Sequence, residues 1–136
     1  MTATTRTERL AIQSSEDVVK IRQQTRIFAV AAGLTLVDQT KIITAASELA
    51  RNTVDYGGGG EVCLEVIEDG GRRGVRLAFE DQGPGIPDVQ MALKDGFTTG
   101  SGLGLGLGGS RRLANEFSIE SKVGVGTKVT IVRWKS

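Results

Sequence analysis

Glu80-Asp81-Gln82-Gly83-Pro84-Gly85-Ile86-Pro87 is the stretch on which the reading of this chain turns. Just ahead of it, Val75, Leu77 and Phe79 alternate with small or polar residues as a half-buried strand does. Asp81 therefore stands where a sheet ends and a loop begins. A carboxylate in that place accepts a hydrogen bond from the 6-amino group of adenine, and it repels the carbonyl that guanine carries there. Gly83 and Gly85 let the backbone approach a flat ring closely and adopt positive φ. Alone, the same residues also spell an ordinary Asp-Gln-Gly-Pro-Gly turn.

Working back from Asp81, Val62, Leu64 and Val66 alternate in the same way, and Gly70-Gly71 makes the two runs a hairpin. Before it, Ile42, Ala45, Ala46, Leu49, Ala50 and Val54 recur at helical steps over 38–56, with Asp38 as N-cap and Gly57–Gly60 as the stop. An earlier helical stripe (Val18, Val19, Ile21, Ile27, Phe28, Val30) runs from an N-cap at Ser15 to a C-cap at Gly33, and 7–14 reads as a first strand. Working forward, a short helix is expected over 88–95 and a helix over 105–117. Strands over 118–123 and 127–134, joined by Gly124-Val125-Gly126, close the chain. The order β-α-α-β-β-α-β-β predicts an α+β fold: a two-layer α/β sandwich with a mixed, mainly antiparallel sheet and helices on one face. No composition shift divides residues 1–136, so one domain is expected.

Bulk properties remove whole classes of function. With 17 basic and 16 acidic residues interspersed, net charge is +1 and nothing resembles a polybasic tail, so nucleic acid and anionic membranes are not expected partners. No apolar run approaches the roughly 20 residues of a membrane span, no signal-peptide pattern is present, and the lone Cys63 suits a reducing compartment; a cytoplasmic protein is expected. Histidine is absent, which excludes a His-based triad, His metal ligands and a phospho-His on this chain.

Two further constellations carry chemistry. Glu48 and Asn52 lie four apart on the 38–56 helix, so they project from one face a turn apart. The Asn oxygen suits Mg²⁺, which keeps waters and phosphate oxygens as its other ligands. The Glu can accept a proton from an attacking hydroxyl. Such a pair on an arbitrary helix is most often a solvated face. From Gly96 to Gly109, seven of 14 residues are glycine, and Gly102-Leu103-Gly104-Leu105-Gly106-Leu107-Gly108 runs into the 105–117 helix. Backbone amides there suit phosphates. The run lacks the Gly-Lys-Ser/Thr of a P-loop, and no strand leads into it as in a dinucleotide fingerprint. Its alternating leucines argue for a segment that packs when closed rather than for a plain linker.

In order, Glu48-x-x-x-Asn52, Asp81-x-Gly83-x-Gly85, Gly104-Leu105-Gly106-Leu107 and Gly126-Thr127 resemble the N, G1, G2 and final threonine motifs of the Bergerat-fold (GHKL) ATPases, the superfamily of gyrase, Hsp90, histidine kinases and MutL. Ser47-Glu48-Leu49-Ala50-Arg51-Asn52, Glu80–Asp88 and Asp95-Gly96-Phe97 narrow the likeness to anti-sigma-factor-type serine/threonine kinases, and among these to the RsbT-type switch kinases of stressosomes. The resemblance implies ATP and Mg²⁺ as cofactors, with Glu48 as general base, Asn52 on the metal, and Asp81 on adenine between Gly83 and Gly85. It places Gly102, Gly104, Leu105 and Gly106 on the phosphates and Thr127 at the adenine end. It implies STAS-domain proteins as substrates and a PP2C-type phosphatase as a further partner. The alternatives are a nucleotide-controlled binding module acting by sequestration and a histidine-kinase-type catalytic domain acting in trans. One departure matters: some relatives carry an arginine shortly before the second glycine motif, where this chain has Gly100-Ser101-Gly102-Leu103. Lys94 and Arg111 are then candidates to meet the γ-phosphate.

Overall fold

The computed structural model describes residues 2–93 and 106–136. Five strands and four helices follow one another as β1 (Thr2–Ile12), α1 (Ser15–Ala31), α2 (Leu36–Asp55), β2 (Gly60–Asp69), β3 (Arg72–Asp81), α3 (Val89–Ala92), α4 (Gly106–Arg112), β4 (Glu116–Lys122) and β5 (Gly126–Trp134). The strands form one sheet in the order β1-β2-β3-β5-β4. All four pairings are antiparallel, so the sheet is simpler than the mixed one expected.

Alternation assigns the two faces. Val62, Leu64, Val66, Val75, Leu77, Phe79, Val129 and Ile131 turn one way and are buried. Against them pack Val18, Ile21 and Phe28 of α1 and Ile42, Ala45, Ala46 and Leu49 of α2. On the other face, among the described residues, Ile67, Val132 and Trp134 form a small apolar cluster, shielded by Arg72, whose guanidinium carbon lies 3.9 Å from the Trp134 ring centroid. Helix α1 ends at Gly33 as expected: Leu34 N–H donates to the Ala29 carbonyl and Gly33 N–H to that of Val30, the Schellman pattern.

Element ends differ from the sequence reading for local reasons. Ser14, not Ser15, is the N-cap position of α1, and its side chain caps nothing; the Asp17 carboxylate takes the free Gln13 N–H instead, at 2.8 Å. Helix α2 begins before Asp38, capped by Thr35 Oγ1, which accepts from Asp38 N–H at 3.2 Å. Asp38 is spent elsewhere: it is 2% exposed and paired with Arg133. Strand β1 extends back to Thr2 through a threonine-rich run that no apolar alternation marks, bonded only to β2. Helix α4 stops at Arg112, and Phe117 belongs to β4 opposite Ile131, where its ring joins the core margin.

Candidate functional site

The pairing of β3 with β5 sets Asp81 directly opposite Thr127, at the end of the sheet toward which α2 also runs. Above that pair lies a cavity of about 320 Å³. Its walls are mainly apolar, with Leu49, Phe79, Ile86, Met91, Ala92, Leu107 and Val129 among them, and its polar groups are few: Asn52, Thr53, Asp81, Asp88 and Thr127. A mostly greasy slot with a few fixed polar groups suits a flat heterocycle bearing a polar edge.

Asp81 Oδ1 accepts from Gly83 N–H at 2.9 Å, which orients the carboxylate and leaves its other oxygen as an acceptor. The carboxylate lies so close to Gly57 that a Cβ there would sit 2.5 Å from the Asp81 carboxyl carbon. A Cβ on Gly83 would in turn sit 2.7 Å from Gly57 Cα. Gly57 and Gly83 thus face each other without side chains so that the acid can occupy the floor. Gly85 has φ +77° and rests on the Lys122 carbonyl, a conformation and a clearance that only glycine meets. Ser121 completes the floor: its Oγ accepts from Ile86 N–H at 2.7 Å and lies 2.8 Å from Thr127 Oγ1.

Helix α2 supplies the side wall. Leu49, Asn52, Thr53 and Tyr56 follow its inward stripe into the cavity. Thr53 Oγ1 is spent on the Leu49 carbonyl at 2.9 Å, so it contributes its methyl, while the Asn52 amide makes no hydrogen bond among the described residues. Tyr56, at the rim, has its phenol pKa raised by burial and by the neighbouring Asp55. Glu48 is buried at 7% exposure one turn before Asn52 and does not line the cavity.

Of the residues singled out in the sequence, Asn52, Asp81, Gly85 and Thr127 line one cavity, with Gly83 hydrogen-bonded behind them. Gly106 is the first residue of α4, and Leu107 beside it reaches the cavity wall. Gly102, Gly104, Leu105 and Lys94 lie outside the described residues. Arg111 is exposed in the last turn of α4 and does not line the cavity. Sequence reasoning passed over Gly57, which it took only as a helix stop, and Ser121. Counting back across the closing hairpin from Thr127 would have placed Ser121 opposite it.

The site fits adenine in shape and polarity, with one carboxylate acceptor on an apolar floor. For a metal, no group of three or more His, Cys, Asp or Glu able to hold an ion exists among the described residues. Asn52 with phosphate oxygens and waters fits the way Mg²⁺ is usually held beside a nucleotide.

Comparison with known proteins agrees. Residues 37–136 match the family described as histidine kinase-, DNA gyrase B-, and HSP90-like ATPase. The chain belongs to this family. It is 46% identical over 123 residues to the serine/threonine-protein kinase RsbT of Bacillus subtilis, covering 90% of this chain and 92% of that one. It is 34% identical over 102 residues to the anti-sigma F factor of Geobacillus kaustophilus, covering 70% of this chain and 68% of the relative. In fold it resembles the solved RsbU and RsbW domains of a Mycobacterium tuberculosis protein, with a TM-score of 0.68 at 20% identity over 97% of this chain and 34% of that one. Within the ATPase family, then, this is an RsbT-like protein serine/threonine kinase. No helix among the described residues is long and apolar enough to cross a membrane.

Proposed function

We propose that the chain transfers the γ-phosphoryl group of Mg²⁺-ATP to a serine or threonine of a STAS-domain partner, as the kinase of a cytoplasmic partner switch of the stressosome type. The observation that carries this reading is the meeting of Asn52, Asp81 and Thr127 at one apolar cavity, with Glu48 one helical turn from Asn52. Asp81 would bind the adenine amino group, and Asn52 would hold the Mg²⁺ that neutralises the phosphates. The glycines of 102–106 would present amides to those phosphates. Glu48 would take the proton of the attacking hydroxyl. Phosphoryl transfer asks mainly for positioning and charge stabilisation, so this modest equipment is adequate. Release from the STAS partner would leave the kinase free to bind and activate a PP2C-type phosphatase.

The test is phosphate transfer from labelled ATP to a STAS-domain protein, with Glu48→Ala beside the wild type. Loss of a general base costs roughly 100- to 10,000-fold in rate, with ATP binding retained. Equal transfer by the variant would remove Glu48 from the mechanism. A second reading draws support from the anti-sigma F factor relatives: nucleotide-controlled sequestration of a partner. In that case Glu48→Ala would spare partner binding while Asp81→Asn weakened both nucleotide and partner; full partner affinity in an Asp81→Asn chain that no longer bound ATP would discard nucleotide control.

A further inference from the structure

Helix α2 carries a charge that the fold leaves unanswered. Arg51 is half-buried and its Nε is buried, yet that N–H has no acceptor among the described residues. Two carboxylates stand at spacings that usually bring helix side chains together: Glu48 three residues earlier and Asp55 four later. Among the described residues Arg51 forms an ion pair with neither. A buried guanidinium N–H without an acceptor opposes folding, and folded chains rarely keep one. An anion brought from outside the chain would answer it.

We infer that Arg51 binds the γ-phosphoryl group of the nucleotide and steadies it during transfer. The inference rests on the ATP reading above. Successive helix residues are about 100° apart, which sets Asn52 about 40° to one side of Glu48 and Arg51 about 60° to the other. Leu49, Thr53 and Tyr56 line the base cavity on the far side of Asn52, whereas Glu48 and Arg51 line none of it. Asn52 thus stands at the boundary, and phosphates leaving the base cavity past it meet Glu48 and then Arg51. Arg51 Cβ lies about 5–6 Å from that of Glu48 at this spacing, and its long stem covers the remaining distance. Its Nε and one Nη form an edge of two N–H donors that matches two phosphate oxygens. During transfer the acceptor hydroxyl oxygen bonds to the γ-phosphorus as the bond to the bridging oxygen of ADP breaks. The hydroxyl proton goes to Glu48, the leaving electron pair stays on ADP, and the charge on the transferring oxygens falls to Arg51 as well as to Mg²⁺. The other cation of α2, Lys41, is ten residues earlier, about 15 Å along the axis, and does not compete.

Calorimetric titration of the full chain with Mg²⁺-ATP and Mg²⁺-ADP, beside a thermal melt, tests this without an activity readout. ADP lacks only the γ-phosphoryl group, so the ratio of the two affinities isolates that contact. Arg51→Met keeps most of the stem and drops the charge. In it ATP should bind roughly 10- to 100-fold more weakly, the size of a lost charge-assisted contact, while ADP affinity holds. Arg51→Lys supplies a charge without the fork and should recover part of the preference for ATP. The melting point of Arg51→Met should equal or exceed that of the wild type, because no partner inside the chain is lost. Equal weakening of ATP and ADP, or an unchanged ratio, would overturn the inference and leave the ATP reading standing. A wild type that bound ATP no better than ADP would do the same. A clearly lower melting point in Arg51→Met would show that the guanidinium is already spent within the fold, which also overturns the inference alone. Failure of the wild type to bind either nucleotide would overturn the ATP reading and the inference with it.

Discussion

Strands β3 and β5 run the length of the sheet and carry opposite kinds of chemistry at their two ends. At the Asp81–Thr127 end, polar groups face a cavity with their outer valences unspent, and glycines stand where side chains would crowd them. At the Arg72–Trp134 end nearly every polar group has a partner within the chain. Arg133 donates through Nε and Nη2 to Asp38 Oδ1 at 3.1 and 2.7 Å, and through Nη1 to the Leu113 carbonyl at 3.4 Å. Asp38 Oδ2 accepts from Ser136, Trp134 Nε1 donates to Glu116 at 2.5 Å, and Trp134 N–H donates to Asn115 at 2.7 Å. One end is arranged to be completed by something outside the chain, whereas the other completes itself. Substitutions at the first should therefore cost binding and spare stability, and substitutions at the second should do the reverse.

The largest expected effect lies at the closed end. Arg133→Ala strands the carboxylate of Asp38, which is 2% exposed, and removal of one partner from a buried pair costs on the order of 3 kcal/mol of folding stability. Denaturant melts should show that loss, while ATP affinity measured on the folded variant stays within about twofold. A parallel loss of ATP affinity would break the separation of the two ends.

The reciprocal substitution is Asp81→Asn. It keeps an acceptor for Gly83 N–H and the same volume beside Gly57, so the melting point should hardly move. It removes the charge from a hydrogen bond to the base, worth about 1.5–3 kcal/mol, so ATP should bind roughly 10- to 150-fold more weakly. Stability lost together with affinity would show that Asp81 is a structural residue and not a waiting acceptor.

Acid sharpens the comparison further. Hydrogen bonds from Ser136 and from Arg133 outweigh the opposing effect of burial and hold the Asp38 carboxyl at a pKa of about 2, below its ordinary value of 3.8. A depressed carboxylate stabilises the fold above the unfolded-state pKa and ceases to do so as pH falls through the folded one. About 2 kcal/mol of stability should thus be present above pH 4 and disappear between pH 4 and pH 2. Asp38→Asn should flatten this part of the profile; an unaltered acid limb would place the acid sensitivity in other carboxylates.

How far the sequence foretold each end follows from the same contrast. Asn52 and Asp81 were legible because a polar residue beside glycines or on an apolar helix face departs from the local pattern, whereas Thr127 entered only through the order of motifs that resembles the ATPase family. The hairpin at Gly70-Gly71 and the helical stripes were legible because periodicity reports burial directly. Asp38 was misread as a cap because a helix start offers a local explanation for any aspartate, while its partner Arg133 lies 95 residues away. Ser121 and Gly57 were silent for a related reason. Each acts on a neighbour brought to it by strand pairing or by the turn after α2, and nothing in its own flanking residues records that neighbour.

The smallest effect concerns a pair with the same chemistry as Asp38–Arg133 in a different setting. Arg9 and Glu61 approach to 3.0 Å across β1 and β2, but their side chains are 70% and 48% exposed. Water already solvates both ions, so closing the pair gains little and costs side-chain freedom; exposed pairs are worth about 0.2–1 kcal/mol at most. Arg9→Ala should lower stability by no more than about that, and most of even this loss should vanish in 1 M salt, where charges only a few ångströms apart are screened. The Arg133–Asp38 pair, at 13% and 2% exposure, should lose far less of its contribution under the same salt. An equal salt response from the two would mean that water reaches the closed end of the sheet, and its self-completion would then have to be explained by something other than burial.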